Sequence, residues 1–580
     1  MAEEPTDEEK EFYKSKNPRD IEQIKKWDEE DKKLLEGQAQ PEPFELTPLP
    51  TSYEEWSTIL SEKYQNLYKL VNELIPELWT PLEFALSIKT ILNIKNCTLP
   101  FAGILLGAPS SLKTIIVELF KKSKNSYFTD SFSPKSLVSH YAGIKEEQLK
   151  KIDMLPMIKN TFFLCSELSP MFTKKEEELN EIIGLITRVL DGHGLVTNTG
   201  SCGQRGYDEE IMFTWLGAAV DIPNKVHKLM GSLGPKLYFF RLPKNKKNED
   251  ELLAAMDKDD FIPKVKKIRT SLMEYLEWFD RCPISETNDK VIKENNLIKI
   301  QWDNDKDDEY TKRVIVRTAV LLGHLRAVVT TWETHGSQGL DYNYATTTRE
   351  EPQRAITQLR NLARGHALSK GRTFITIQDL PLLIKTVLST ASIDRVNIFD
   401  LLIAHKGTLT TSIIIKSLNT NHHTAHRIMA ELKAVELVDL KESETETETE
   451  TETETETEEK QIKLKQEFDW FITEEFKNLR EGFKPTDYSD HIKQYCKKYD
   501  INLEEKTPPC NTIEETPIIK YDYNCYECVK ANHGTPVYQT NSLSDYQRHW
   551  ITSGHKGPCQ PSLVDIEYHG WIPQGREWEK

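Results

Sequence analysis

No apolar run in this 580-residue sequence approaches the ~18 residues that a membrane-spanning helix needs, so no membrane partner is expected. The opening Met-Ala-Glu-Glu-Pro has no basic stretch followed by an apolar one and does not read as a signal peptide. Cysteine is sparse: nine residues over this length do not make a disulfide framework. Positive charge is also short. The net charge of −17 excludes a globally basic surface that would draw the chain to nucleic acid, so any such contact must come from local patches. Hydrophobic residues at 38% against 29% charged allow a sizeable core but leave much of the chain solvated. A cytoplasmic protein of about two to four domains is expected.

The most informative stretch that is present is Gly107-Ala108-Pro109-Ser110-Ser111-Leu112-Lys113-Thr114. It follows the apolar run Phe101–Leu106 and opens a second one, Ile115–Phe120. Strand, loop and helix in that order form the context of a phosphate-binding loop. Backbone N–H groups at the helix start would cradle the phosphates of ATP, Lys113 would meet the outer phosphates, and the Thr114 hydroxyl would hold Mg²⁺. Leu112 stands where glycine is usual. It adds a side chain where backbone should approach phosphate, and leucine resists the backbone angles that glycine adopts. A third apolar run, Asn160 to Glu167, ends in a carboxylate. An ATPase needs an aspartate there for the metal's outer shell and a glutamate to polarise water. Ser166 occupies the first place, and Glu167 is the candidate base. Taken alone, this is a buried strand ending in a surface glutamate.

Candidate strands at 103–107, 161–165 and 211–217, with a periodic helix over 176–191, alternate as in a parallel α/β sheet. What lies between and after them resembles the AAA+ ATPases, in the branch of minichromosome maintenance helicases and bacterial enhancer-binding activators. The carriers, in order, are Leu185-Ile-Thr-Arg188-Val-Leu, Gly203-Gln-Arg205-Gly-Tyr, Met212 through Asp221-Ile-Pro, and Gly234-Pro-Lys236-Leu-Tyr-Phe-Phe-Arg241-Leu-Pro. Further on, Arg354-Ala-Ile-Thr-Gln-Leu359 through His366-Ala resembles a helicase lid helix, and Ile375-Thr-Ile-Gln-Asp379-Leu echoes the segment that follows it. The same helix reads independently as an amphipathic element with Leu359 and Leu362 in a core. The resemblance spans about residues 98–390. It implies an α/β fold with an AAA+ P-loop sheet and helical lid, ATP and Mg²⁺ as cofactors, and a homo-oligomeric ring. It also implies a sensor-1 role for Asp221, normally Asn, and a sensor-2 role for Arg354. Arg241 would be an arginine finger of the next subunit, and a hairpin around 192–203 would be a lever. Lys113, Mg²⁺ on Thr114, Arg354 and a trans arginine would then compensate the charge on the γ-phosphate oxygens.

The expected division is an acidic disordered tail (1–50), a helical lead-in (51–97), the nucleotide-binding core (98–245), a helical lid region (246–390) read as all helical from 311, and a winged helix (391–441). An acidic Glu-Thr repeat (442–460) follows as a linker and domain boundary, then a helical segment (461–520) and a zinc-finger-like domain (521–580). In the winged-helix candidate, which resembles the C-terminal module of replicative helicases, His422–Leu432 would be the recognition helix. Thr411, Lys416, His422, His423 and Arg427 are its candidate DNA contacts, and so few lysines nearby leave a protein-binding role almost as open. In the last region Cys525-Tyr-Glu-Cys528 and His549 through His555 have the ligand spacing of tetrahedral Zn²⁺, with Cys559 and His533 as substitutes. The sequence therefore reads as an ATP-binding, DNA-remodelling or helicase-like motor of replication or repair. A DNA-binding transcription regulator, or a scaffold with a decayed nucleotide switch, is the alternative.

Overall fold

The computed structural model describes residues 49–97, 99–139, 146–199, 203–233, 236–243, 249, 253, 260–284, 290–329, 331–336, 339–344, 347–442 and 459–482, and three short strands beyond 520. Two compact units, Met1–Tyr488 and Ser489–Lys580, make up the chain. Among the described residues no helix is long and apolar enough to cross a membrane.

The first helix, α1 (Tyr53–Leu74), starts where the Ser52 side chain accepts the Glu55 amide at 3.1 Å. It buries Trp56, Leu60, Tyr64, Leu67 and Val71, one stripe at helical spacing. Then α2 (Trp79–Ile91) is buried almost all round. Next come β1 (Phe101–Leu106), α3 (Lys113–Leu119), β2 (Ser126–Thr129), β3 (Phe162–Cys165), α4 (Glu176–Val189), the hairpin β4 (Leu195–Thr199) and β5 (Gly203–Tyr207), β6 (Thr214–Ala219), α5 (Asn224–Leu233) and β7 (Leu237–Arg241). The five core strands form one parallel sheet in the order β2-β3-β6-β1-β7. All six residues of β1 and of β6 are buried, as continuous apolar runs in a sheet covered on both faces must be. Period-two alternation sorts the faces. Ala102, Ile104 and Leu106 share a core with Leu179, Ile183 and Ile186 of α4 and Val226 and Met230 of α5. On the other face Gly103 lies under Phe84 and Ile88 of α2.

After the sheet, α6 (Phe261–Phe279) packs on α1, and β8 (Val291–Glu294) turns into β9 (Leu297–Ile300) through Asn295 and Asn296, both at positive φ (49° and 62°). That is the two-residue turn chemistry of a hairpin. Then follow α7 (Glu309–Arg326), β10 (Thr331–Gly336), β11 (Gly339–Tyr344), α8 (Pro352–Ser369) and α9 (Leu380–Thr390). The expectation that 311–390 is all helical is corrected here, because β10 and β11 pair antiparallel between α7 and α8. The β-branched and aromatic residues of 328–332 and 342–344 favour strand over helix. Helices α8 and α2 cross in close contact at Gly365, where an added Cβ would meet the Ser87 carbonyl oxygen at 2.0 Å.

The last part of the first unit contains α10 (Ile393–Ala404), β12 (Thr408–Thr410), α11 (Thr411–Leu418), α12 (His422–Ala434), β13 (Val438–Glu442), β14 (Lys460–Leu464), a 3-10 stretch (Gln466–Ile472) and α13 (Glu474–Glu481). The strands form an antiparallel sheet, β12-β14-β13. Glu442 pairs with Lys460. The Glu-Thr repeat therefore joins two neighbouring strands of one sheet instead of separating two domains, and the segment read as helical from 461 begins as a strand. Phe468, Phe471 and Phe476 of that segment are buried, and Phe471 packs edge-on against Phe399 of α10 at 5.7 Å.

In the second unit β15 (Tyr521–Cys525) is flanked by β16 (Gln539–Thr540) and β17 (Pro561–Asp565), both antiparallel to it. Of the proposed Zn²⁺ ligands, Cys525 ends β15. Cys528, His549 and His555 lie outside the described residues, as does the acidic tail before 49. No group of His, Cys, Asp or Glu among the described residues is placed to hold a metal ion.

Candidate nucleotide-binding site

The loop 107–114 leaves the C-terminal end of β1, which is flanked by β6 on one side and β7 on the other. The chain next runs to β2 at the far edge beyond β6, whereas β7 lies on the opposite side. The loop thus sits at the point where the winding reverses, the place in an open parallel sheet where ligands bind. Gly107 is needed for packing: an added Cβ would meet Ser111 Oγ at 2.6 Å. Ser110 and Leu112 both adopt positive φ, 63° and 68°. Leu112 therefore takes up the left-handed backbone that glycine would provide, at a cost of about 1 kcal/mol or more.

Lys113 is buried, and its ammonium donates to the carbonyl oxygens of Gly107 and Ala108, each at 2.7 Å, and to Ser111 Oγ at 3.2 Å. Burial pulls its pKa down, and the negative charge of Glu167 opposes the fall. Ala108, Pro109, Ser110 and Thr114 are exposed along the mouth of the loop. Three other candidates lie on the same sheet edge. Glu167 follows β3, and its carboxylate accepts the Ser169 amide at 2.8 Å, which fixes its direction. Asp221 follows β6 and accepts from Arg241 at 3.2 Å. Arg241 ends β7 directly opposite Leu106, the residue before the loop. It stands beside its own chain's loop and is paired there with Asp221. Cys165, one residue before Ser166, is buried, which pushes its thiol up to about 12 and keeps it protonated at neutral pH.

Arg354 is not brought to this edge. Its guanidinium is 2.6 Å from the Asp191 carboxylate, which also accepts from buried Lys236 at 2.6 Å. One turn along α8, Gln358 donates to the Pro100 carbonyl at 2.8 Å, just before β1. That places the start of α8 at the N-terminal end of β1, about 20 Å from the loop at ~3.3 Å per strand residue. Within one chain Arg354 is a structural ion pair at the opposite end of the sheet.

One residue at the loop edge escaped the sequence reading. Asp130 follows β2 and accepts from the Ser166 hydroxyl at 3.1 Å. Its only local signal is a polar residue after a four-residue strand, and its neighbour in space is 36 positions away.

The candidate DNA contacts divide. Thr411 is fully buried, with its hydroxyl on the Lys460 carbonyl at 3.1 Å, and cannot meet a phosphate. Lys416, His423 and Arg427 are exposed, and His422 is half-buried with its ring 4.8 Å from that of His426. Arg427 and Glu431 line a groove of about 460 Å³ shared with Lys228, Asp394 and Arg395, so part of α12 faces the body of the first unit.

No family model matches the chain, and no curated protein matches it. Among solved structures it is similar to a full-length MCM homolog from Methanopyrus kandleri, at 12% identity over 61% of this chain and 63% of that one, with a TM-score of 0.29. It is also similar to the A-form apo structure of the NrS-1 C-terminal region, at 10% identity over 64% and 76%, with a TM-score of 0.19. This chain thus spans less than two thirds of the Methanopyrus protein, and neither likeness assigns it to a family.

Proposed function

We propose that this chain binds ATP with Mg²⁺ at residues 107–114 and hydrolyses it as an AAA+-type motor acting on DNA. One observation carries the reading: the loop, Glu167, Asp221 and Arg241 come from four separate strands and meet on one edge of a parallel sheet. The residues fit the ligand. Gly107 lets the loop close tightly on Ser111, Lys113 is held at the loop, and Thr114 is exposed beside it. Bound Mg²⁺ would supply charge compensation for phosphoryl transfer. Glu167, already oriented by the Ser169 amide, would direct a water, and Asp221 would hold Arg241 toward the outer phosphate.

The winged-helix reading of 391–441 is supported by three helices, with β12 between the first two and β13 after the third, and by the antiparallel sheet that β12 and β13 form with β14. Lys416 and Arg427 remain its proposed contacts with DNA phosphates, His422 and His423 its other proposed DNA contacts, and Thr411 is withdrawn. Ring assembly and a structural Zn²⁺ on Cys525, Cys528, His549 and His555 rest on the sequence alone. Metal content of the purified protein tests the latter.

The deciding experiment is ATP binding and turnover by the full chain, with and without single-stranded and duplex DNA, beside Lys113→Ala and Glu167→Gln. Turnover that DNA stimulates and both substitutions abolish is the expected result. Binding without turnover, lost in Lys113→Ala, favours the nucleotide-switch reading, for which Leu112 and Ser166 are the specific grounds. No binding at all overturns the proposal.

A further inference from the structure

Ser166 occupies the position where the site calls for an acid, and the hydrogen bonds around it show what stands next to it. Strands β2 and β3 pair in parallel up to Thr129 and Cys165. The pairing continues past both strands: the Ser166 amide donates to the Thr129 carbonyl at 3.3 Å, and the Glu167 amide to the Asp130 carbonyl at 3.1 Å. Backbone bonds therefore hold Asp130 alongside both Ser166 and the candidate base. The Ser166 hydroxyl then bonds Asp130 Oδ1 at 3.1 Å. Ser166 is buried and Asp130 is exposed. Among the described residues no lysine or arginine is ion-paired with Asp130, unlike Asp191, Asp307 and Asp379, which each hold a cation.

We propose that Asp130 supplies, from the neighbouring strand, the carboxylate that β3 lacks at Ser166, and acts as the positioning residue for the water shell of Mg²⁺ at Thr114. This inference rests on the nucleotide-site reading above. The geometry has a simple logic. Adjacent strands lie about 4.8 Å apart, and a serine is small enough to let a carboxylate on the next strand lean into the space that an aspartate on β3 would fill. The Ser166 hydroxyl reaches both that carboxylate at 3.1 Å and the Asp130 carbonyl at 3.3 Å, which ties the residue to the end of β3. Outer-shell groups of this kind typically contribute about 10- to 100-fold to metal affinity.

The test is a titration of the full chain with a fluorescent ATP analogue, with and without Mg²⁺, read as the ratio of the two affinities. Asp130→Asn is expected to lower that ratio about tenfold. The double variant Asp130→Asn with Ser166→Asp, which returns the acid to β3, is expected to restore it. A merely structural Asp130 would shift both affinities and the melting temperature together and leave the ratio intact. An unchanged ratio in Asp130→Asn, or a lowered ratio that Ser166→Asp does not restore in a protein that melts like the parent, overturns the assignment while the nucleotide site stands. Absence of analogue binding by the parent chain, with no further loss in Lys113→Ala, overturns the site and this inference together.

Discussion

The loop edge of the sheet and the junction of α2 with α8 are built from the same side chains and put them to opposite uses. At the junction, His366 lies 2.7 Å from Asp379 and 2.9 Å from Glu83. Arg372 binds Asp379 through both terminal nitrogens, at 2.7 and 3.1 Å, Lys370 lies 3.3 Å from Glu83, and the Tyr64 hydroxyl donates to Glu83 at 2.6 Å. Asp379 also caps its own turn in a capping box with Thr376. Burial alone would raise both carboxylate pKa values. Arg372 and His366 around Asp379, and His366 and Lys370 around Glu83, instead hold them well below the usual range. At the loop edge Asp130 and Asp221 are exposed, Glu167 carries one backbone bond, and Leu112 is strained. Groups saturated with partners hold a fold together, whereas groups left open to solvent can meet a ligand.

The largest effect should come from the junction. Asp379→Asn leaves Arg372 and His366 facing a neutral partner and should cost about 3–5 kcal/mol in thermal or denaturant unfolding. ATP-analogue affinity of the folded fraction should be unchanged, and a loss of affinity without a loss of stability would break the comparison. A pH series sharpens it. Both carboxylates have depressed folded-state pKa values, so their stabilisation is present above the unfolded value near 4 and is lost as pH falls below it. The melting temperature should drop steeply below about pH 4, and less steeply in Asp379→Asn. Next in size is Arg354→Ala. It leaves Asp191 with Lys236 and should cost on the order of 1 kcal/mol of stability, the scale of a half-exposed pair. It should change ATP affinity of the isolated chain less than about twofold, since the group is a sheet's length from the loop. A tenfold loss in dilute protein would place Arg354 at the nucleotide. The smallest expected effect is Leu112→Gly. The loop carries its left-handed strain before any ligand binds, so its relief should raise stability to denaturant by about 1 kcal/mol and leave analogue affinity nearly unchanged. Lower stability would mean that the leucine side chain contributes more than its backbone costs.

Much of the loop edge was legible, because a phosphate loop between an apolar strand and a helix is a local pattern and Glu167 ends an apolar run, whereas Asp221 and Arg241 were singled out only through the family resemblance. Spatial partnership was not legible. Asp130 ends a short strand, and only the β2-β3 pairing reveals that it faces Ser166. The helix bearing Arg354 was read correctly from its periodicity, but helical spacing says nothing about which end of a sheet the helix meets. Two hairpins were missed for a local reason: Asn295-Asn296 and the aromatic, β-branched residues around β10 and β11 are turn and strand signals set within long helical neighbourhoods. The Glu-Thr repeat was taken for a boundary because low complexity looks the same between domains as between paired strands.

That repeat has a consequence for how this gene can vary. Glu442 and Lys460 face each other across a β-ladder, so the insertion between them starts and finishes at the same spot whatever its length. Closing a longer loop costs only about 0.6 kcal/mol for each doubling. Gain or loss of Glu-Thr dipeptides should therefore pass almost unnoticed by folding, and natural isolates are free to differ in repeat number while keeping every strand around it in register.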